Sequence, residues 1–262
     1  MSLSDLGRAF VPETPNTVMP FAVQSVLSAR IAEMAATFMK TGERPGEKIL
    51  AESKSILPLF GPMLEAMYGR FFEEQILLDL PVYKETDKKG GLVVDLGCGN
   101  GWYLRKIAAL FPRTRGIGID AIEENISQAR KLAQREGLAD RLTFRVDDIH
   151  QRTLNKPSDL IAMNRALHHV WDEREAVFQS FKKSLRSGGS AVIWEPNWPK
   201  NRSELRNPGR LSMAFQNLAE YIQGNRFLRA EEIEAEFHRV GMETDVRLFA
   251  DGNEAVIVGR KI

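Results

Sequence analysis

Three acids in this sequence stand directly after short apolar runs: Asp95 in LVVDLGCGNG, Asp120 closing GIGID, and Asp148 in FRVDDI with Asp147 beside it. Asp95 leads into Gly97, Gly99 and Gly101 at alternate positions, a tight turn that a ligand can approach closely because glycine has no Cβ and tolerates positive φ. Asp120, about 20 residues beyond that turn, has the chemistry to accept hydrogen bonds from both hydroxyls of a ribose. The glycine spacing is GxGxG, and Trp102 stands where a pyrophosphate-binding GxGxxG pattern needs a small residue. A nucleoside ligand is therefore favoured over a dinucleotide. Each acid taken alone reads as a helix cap or solvated turn, but three at successive strand ends are hard to ascribe to coincidence.

A second group follows two later apolar runs. DLIAMNRALHHV carries Asn164, Arg165, Leu167, His168 and His169, and AVIWEPN carries Glu195 next to Trp194. A histidine titrates near neutrality and suits a general base where a substrate must lose a proton; packing is the plainer role for either. Adjacent side chains point in different directions, so one histidine, His169, is expected to serve. Glu195 either binds a substrate hydroxyl or amine or helps to pack the Trp pair, Trp194 and Trp198. Arg70, near Tyr68, has the geometry to pair with a ligand carboxylate, although surface placement is the simpler reading. No HExxH or comparable ligand spacing occurs, and no catalytic metal is expected.

The elements that must hold these residues alternate from Gly91 onward between strand and helix, the pattern of a parallel sheet covered on both faces. Strands are expected at 92–95, 116–120, 142–146, 160–163 and 191–194. A helix from Trp102 carries Leu104, Ile107, Ala108 and Phe111 at helical spacing, and a second is expected at 121–135. A third, with Val177, Phe178, Phe181 and Leu185, is expected to end at Gly188 and Gly189. Residues 196–227 interrupt the alternation, which marks a lid or binding element; they contain a helix at 211–222. A helix at 230–240 and a hairpin turning at Asp251–Gly252 close the chain. Before Gly91, residues 1–16 read as an irregular arm, and helices are expected at 18–39, 47–56 and 63–78. Phe21, Val23, Val26, Leu27 and Ile31 form the apolar side of the first, and Met67, Phe71, Ile76 and Leu77 that of the third. This region is either an ordinary helical layer or the roof of an active site.

At 262 residues the chain can bury a full α/β core and an extra layer. Its formal net charge of +1 comes without a basic run, which disfavours nucleic acid and points to a small partner. The single cysteine, Cys98, excludes an internal disulfide framework and fits a reducing cytosol. No signal sequence or spanning segment is recognisable, so a cytoplasmic protein without a membrane role is expected.

Read in order, VVDLGCGNG, GIGID, FRVDDI, DLIAMNRALHHV and LRSGGSAVIWEPN resemble the class I, Rossmann-like S-adenosylmethionine-dependent methyltransferases of small-molecule type. The resemblance covers about residues 90–260 and implies a doubly wound, mostly parallel seven-stranded sheet with a reversed C-terminal strand. It implies residues 89–262 as the cofactor-binding domain, with 1–88 as a helical extension over the site and 195–228 as a substrate lid. Carried over by position, Asp95 helps to hold the amino group of the methionine part. Gly97, Cys98, Gly99, Asn100 and Gly101 form the loop, Asp120 and Ala121 meet the ribose, and Asp148, with Asp147 as the adjacent alternative, meets the adenine beside the Ile149 backbone. Asn164, Arg165 and Leu167 line the methionine side. The implied activity is in-line methyl transfer from S-adenosylmethionine to an O, N or C nucleophile of a small molecule. MNRA replaces the NPPY-type tetrapeptide of many nucleic-acid and protein amino-group methylators, which again points to small acceptors. Two other readings are an NAD(P)-dependent oxidoreductase and a non-catalytic methyltransferase-like binding module. The amphipathic helix at 18–39 fits its own core or, in a homodimer, a second subunit.

Overall fold

The Val-, Ile- and Leu-rich runs between residues 92 and 196 have apolar side chains on both faces, so their strands pack helices on each side. The computed structural model, which describes residues 2–11, 14, 17–44, 57–149 and 157–262, shows this arrangement. Strands β1 (Leu92–Leu96), β2 (Arg115–Asp120), β3 (Leu142–Val146), β4 (Ser158–Asn164), β5 (Leu185–Pro196), β6 (Glu243–Phe249) and β7 (Glu254–Arg260) form one sheet. Its order is β3-β2-β1-β4-β5-β7-β6. β7 runs antiparallel to β5 and β6, and the other pairs are parallel. The expected doubly wound sheet with a reversed C-terminal strand is therefore present. Register places Leu96 beside Ile119, Asp120 beside Val146 and Asn164 beside Trp194, so the functional strand ends share one edge.

Helices α1 (Asp5–Ala9), α2 (Met19–Thr41), α3 (Leu57–Phe71) and α4 (Pro81–Lys88) precede the sheet. α5 (Trp102–Leu110), α6 (Glu123–Arg135), α7 (Arg174–Ser184), α8 (Leu211–Gln223) and α9 (Ala230–Arg239) follow in order. One core lies between α3 to α6 and one face of the sheet. It is built on Phe72, Tyr83, Trp102, Tyr103 and Trp194. The opposite face packs Phe178, Phe181, Ile233 and Phe237. A smaller cluster of Met19, Val23, Leu27 and Met63 joins α2 to α3.

Several local expectations need correction. Part of the supposedly irregular arm is helical: α1 is capped by Ser4, whose hydroxyl accepts the Gly7 N–H at 3.1 Å. Pro12 and Pro15, and the helix expected at 47–56, lie outside the described residues. α3 begins six residues before 63 and continues through a π-helical turn at Phe72–Ile76. Within that layer Phe21, Val26 and Met67 face outward, because only part of each apolar stripe meets a neighbour. α7 stops at Ser184, and Leu185 with both following glycines belongs to β5, where Ser190 to Pro196 pairs with β7. Strand pairing there overrides a helical reading of the same residues. No described helix is long and apolar enough to cross a membrane.

Candidate functional site

The glycine loop between β1 and α5 is held by side-chain acceptors. Asp120 Oδ2 accepts the Gly99 N–H at 2.9 Å, while Oδ1 takes Ile122 N at 3.0 Å and Asn125 Nδ2 at 3.2 Å. Ala121, next to Asp120, is exposed. The buried Asn100 takes Trp102 N through its Oδ1 at 3.3 Å and so caps the start of α5. Gly101 has φ +74°, and a Cβ there would lie 2.5 Å from the Phe144 ring. At Gly99, φ +52°, a Cβ would meet nothing within 4 Å, so the backbone faces open space into which a ligand fits. Cys98 is buried beneath this loop, and burial raises its thiol pKa well above the ordinary value. It is a packing residue in this geometry.

Asp95 is buried at the end of β1, where its Oδ1 accepts Asn164 Nδ2 at 3.2 Å. Burial pushes its carboxyl well above the carboxylate range, the Asn164 hydrogen bond opposes this, and the nearby Asp120 charge adds to it. A cationic group arriving beside Asp95 would favour the ionised form. Beyond β3, Asp147 donates its backbone N–H to the Asp120 carbonyl at 3.1 Å and accepts Asp148 N through its side chain at 3.0 Å. Asp147, Asp148 and Ile149 line a mostly apolar cavity with Leu96, Met163 and Phe181, and Arg145 borders it as well. Asp120 and the open Gly99 backbone lie outside that lining.

The segment after β4 is packed directly on this loop: a Cβ at Gly97 would lie 2.8 Å from Ala166 Cβ. Arg165 adopts φ +52° there. Its guanidinium lies 3.8 Å from the Tyr68 ring centroid and is ion-paired with Glu254, whose other oxygen accepts Trp194 Nε1 at 2.8 Å. Tyr68 thus reaches the site edge. Arg70 does not; it is exposed and pairs with Glu74 on its own helix at 2.7 Å.

Glu195 is fully buried and both its oxygens are engaged. Oε1 accepts Leu167 N at 2.8 Å and Oε2 meets His168 Nδ1 at 2.7 Å. Within the protein it is thus tied to the Leu167 backbone and the His168 ring. Glu220, on α8 of the 196–227 insertion, approaches His168 Nε2 at 3.5 Å. Burial alone would lower the His168 pKa, but the charge and hydrogen bond of Glu195, with Glu220, raise it to about 10. His169 Nδ1 instead meets Asn225 Nδ2 at 3.0 Å. The two rings do not diverge as the sequence implied: their centroids lie 4.3 Å apart because a 3-10 turn, Leu167–Glu173, begins there. Donor atoms of His168, His169 and Glu220 lie within 4.8 Å of one another, a grouping that could hold a metal ion. The raised His168 pKa favours the protonated ring, and a metal would have to displace that proton.

Glu220, Asn225 and Glu254 escaped the sequence reading. Glu220 and Asn225 sit in or at the end of an ordinary amphipathic helix, and Glu254 opens a strand. Only the packing of the insertion and hairpin brings them to the site. The insertion is closed at its neck by Trp198 N to Leu228 O at 2.9 Å and Ala230 N to Asn197 Oδ1 at 3.0 Å. Its far side touches the N-terminal layer, with Tyr221 edge-on to Phe38 at 6.3 Å and Arg44 over Tyr221 at 3.9 Å.

Residues 93–189 match the model of a methyltransferase domain family. The chain is 27% identical over 136 residues to a sterol 24-C-methyltransferase of Saccharomyces cerevisiae, covering 51% of this chain and 34% of that protein. It is 31% identical over 147 residues to a trans-aconitate 2-methyltransferase of Variovorax paradoxus, covering 53% of this chain and 51% of that protein. The chain thus spans between a third and a half of the length of these curated relatives. Among solved structures, an O-methyltransferase family protein from Burkholderia thailandensis superposes with a TM-score of 0.77 at 15% identity, over 95% of this chain and 73% of its own. The N,N-8-amino-8-demethyl-D-riboflavin dimethyltransferase of Streptomyces davawensis gives 0.73 at 15%, over 100% and 78%. At such identities the likeness is one of fold.

Proposed function

We propose that this chain carries a class I S-adenosylmethionine-dependent methyltransferase domain and methylates an O, N or C nucleophile of a small molecule. Bound S-adenosylmethionine would supply a sulfonium-activated methyl group for in-line displacement. Asp95 would hold the amino group of its methionine part, Asp120 the ribose hydroxyls, and Asp148 with Ile149 the adenine. The Gly97–Gly101 backbone and the Asn164–Leu167 segment would border the methionine side.

The observation that carries this reading is the contact of the glycine loop with the His168 segment. A nucleoside site and a buried His168–Glu195 pair meet at one sheet edge. The proton-handling set is Glu220 with His168, whose ring Glu195 holds, rather than His169. With His168 protonated in the resting site, the Glu220 carboxylate would turn from the imidazolium Nε2–H to the acceptor hydroxyl or amine and take its proton as the methyl group is transferred. Glu195 keeps the ring oriented throughout. Residues 1–88 act as the roof and 195–228 as the lid; together they exclude water and hold the acceptor in line.

Titration calorimetry with S-adenosylmethionine and with its demethylated product tests the cofactor assignment. Absence of binding by both would sink the reading. Incubation of a metabolite extract with labelled cofactor, followed by mass spectrometry, then identifies the acceptor. Binding without label transfer to any component would favour a non-catalytic module.

A further inference from the structure

The N-terminal layer is fastened to the cofactor loop by one acid, and this contact has a role beyond packing. Glu65 lies on α3, outside the sheet domain. Its Oε2 accepts Asn100 Nδ2 at 3.2 Å and pairs with Arg105 Nη2 of α5. Asn100 is fully buried inside the glycine loop, and Arg105 is 4% exposed. An amide side chain can be placed in two orientations related by a flip, and its hydrogen-bond partners decide between them. By accepting from Nδ2, Glu65 leaves Asn100 Oδ1 aimed at the Trp102 N–H, 3.3 Å away, which starts α5. Gly61, one turn earlier on α3, closes over the same side chain; a Cβ there would lie 2.7 Å from Asn100 Cβ. Asp120 therefore fixes the loop from the sheet side at Gly99, and Glu65 fixes it from the layer side at Asn100.

We infer that Glu65 is a positioning residue for the methyl donor, so that seating of the N-terminal layer and binding of the cofactor are energetically coupled. This rests on the methyltransferase reading, since the ligand of the loop is the cofactor of that reaction. By the reciprocity of coupled sites, a loop set by Glu65 binds the cofactor more tightly, and cofactor binding in turn holds α3 in place. A second layer-to-α5 contact provides the comparison: Glu73 meets Lys106 at 2.9 Å without touching the loop.

The test measures S-adenosylmethionine and S-adenosylhomocysteine affinity by calorimetry in full-length Glu65→Leu, Glu65→Gln and Glu73→Gln. Amide hydrogen exchange at residues 99–103 and along α3 is followed with and without ligand. Loss of a charge-assisted acceptor in Glu65→Leu is expected to weaken binding about ten-fold. It should also speed exchange at residues 99–103 even in the unliganded protein. Glu65→Gln, whose amide oxygen can still accept from Asn100, should recover most of the affinity. Glu73→Gln should bind as wild type, and ligand should protect α3 only when Glu65 is present. Unchanged affinity and unchanged loop exchange in Glu65→Leu overturn the inference, as does an equal loss in Glu73→Gln, which would mark a general packing effect. Should Glu65→Leu fail to fold, Glu65→Ala takes its place against Glu73→Gln: weaker binding with faster exchange at residues 99–103 confined to Glu65→Ala supports the coupling, and equality refutes it. If wild type binds neither ligand, the methyltransferase reading falls, and loop exchange in the unliganded variants still decides whether Glu65 sets the loop.

Discussion

The ends of β1 to β3 and the ends of β4 and β5 share one sheet edge but are assembled in different ways. On the first side, side-chain acceptors bind backbone N–H groups close by in the chain: Asp120 takes Ile122 two residues on and Gly99 twenty-one residues back. On the second side, side chains meet side chains across long separations, 27 residues for Glu195 with His168 and 89 for Arg165 with Glu254. The two βαβ units from β1 to β3 build the first, apart from the Asp95–Asn164 contact that reaches across to β4. The second is complete only once the insertion brings Glu220 to His168 and the C-terminal hairpin brings Glu254 to Arg165. Under the proposed function, ligand recognition rests mainly on local backbone, whereas proton handling depends on tertiary closure.

The sharpest way to break this division is to disable the second side alone. His168→Gln and Glu195→Gln are expected to lower methyl transfer roughly 10²- to 10⁴-fold while leaving cofactor affinity at the wild-type value. Labelled-methyl turnover and calorimetry on the same preparations would show it, and parallel losses in both would erase the distinction. The reciprocal variant, Asp120→Asn, removes the charge from the acceptor of Gly99 N–H and of the ribose. If Asp120 holds the ribose as proposed, the substitution weakens cofactor binding about 10- to 100-fold and retains turnover at saturating cofactor.

Within the first side, two glycines separate fold from ligand. Gly101→Ala combines a left-handed backbone with a 2.5 Å approach to Phe144 and is expected to cost about 3 kcal/mol in urea unfolding. Gly99→Ala meets open space, so only backbone strain of about 1 kcal/mol opposes folding. Its larger consequence should be lost cofactor affinity, because the new methyl group occupies the ligand's side of the loop.

The second side should also leave a signature in the pH dependence of stability. His168 is raised from 6.5 to about 10, so the folded state holds a proton that the unfolded chain releases. Its stabilisation is complete below pH 6.5 and is lost as pH rises through about 10, at no more than about 1.4 kcal/mol per pH unit. Compared across this window by urea unfolding, wild type should lose its advantage over His168→Gln. A constant difference would remove the proton from the account. The smallest expected effect is that of Arg70→Ala. This residue is solvent-facing and paired only with Glu74 among the described ion pairs, and calorimetry should find cofactor affinity unchanged.

What the sequence determined by itself is the sheet, the glycine loop and the acids at the ends of β1 to β3. These features are local: an apolar run, a turn chemistry and a helical period, each readable within about ten residues. The strand limits of β5 were less legible because Leu185–Gly189 reads as helix end and turn until β4 pairs with Leu185 and Lys261, just past β7, bonds Gly188 and Gly189. Which histidine is paired with carboxylates was not readable at all. His168 and His169 are equivalent in sequence, and Glu195 from β5, with Glu220 from α8, sets His168 apart. Glu65, Glu220 and Glu254 were likewise indistinct among thirty-five acids. Each occupies an amphipathic helix or a strand end where an exposed carboxylate is the ordinary expectation. The tertiary structure decided their roles by bringing each against a buried donor, because a hydrogen bond between distant elements has no periodicity for a sequence to display.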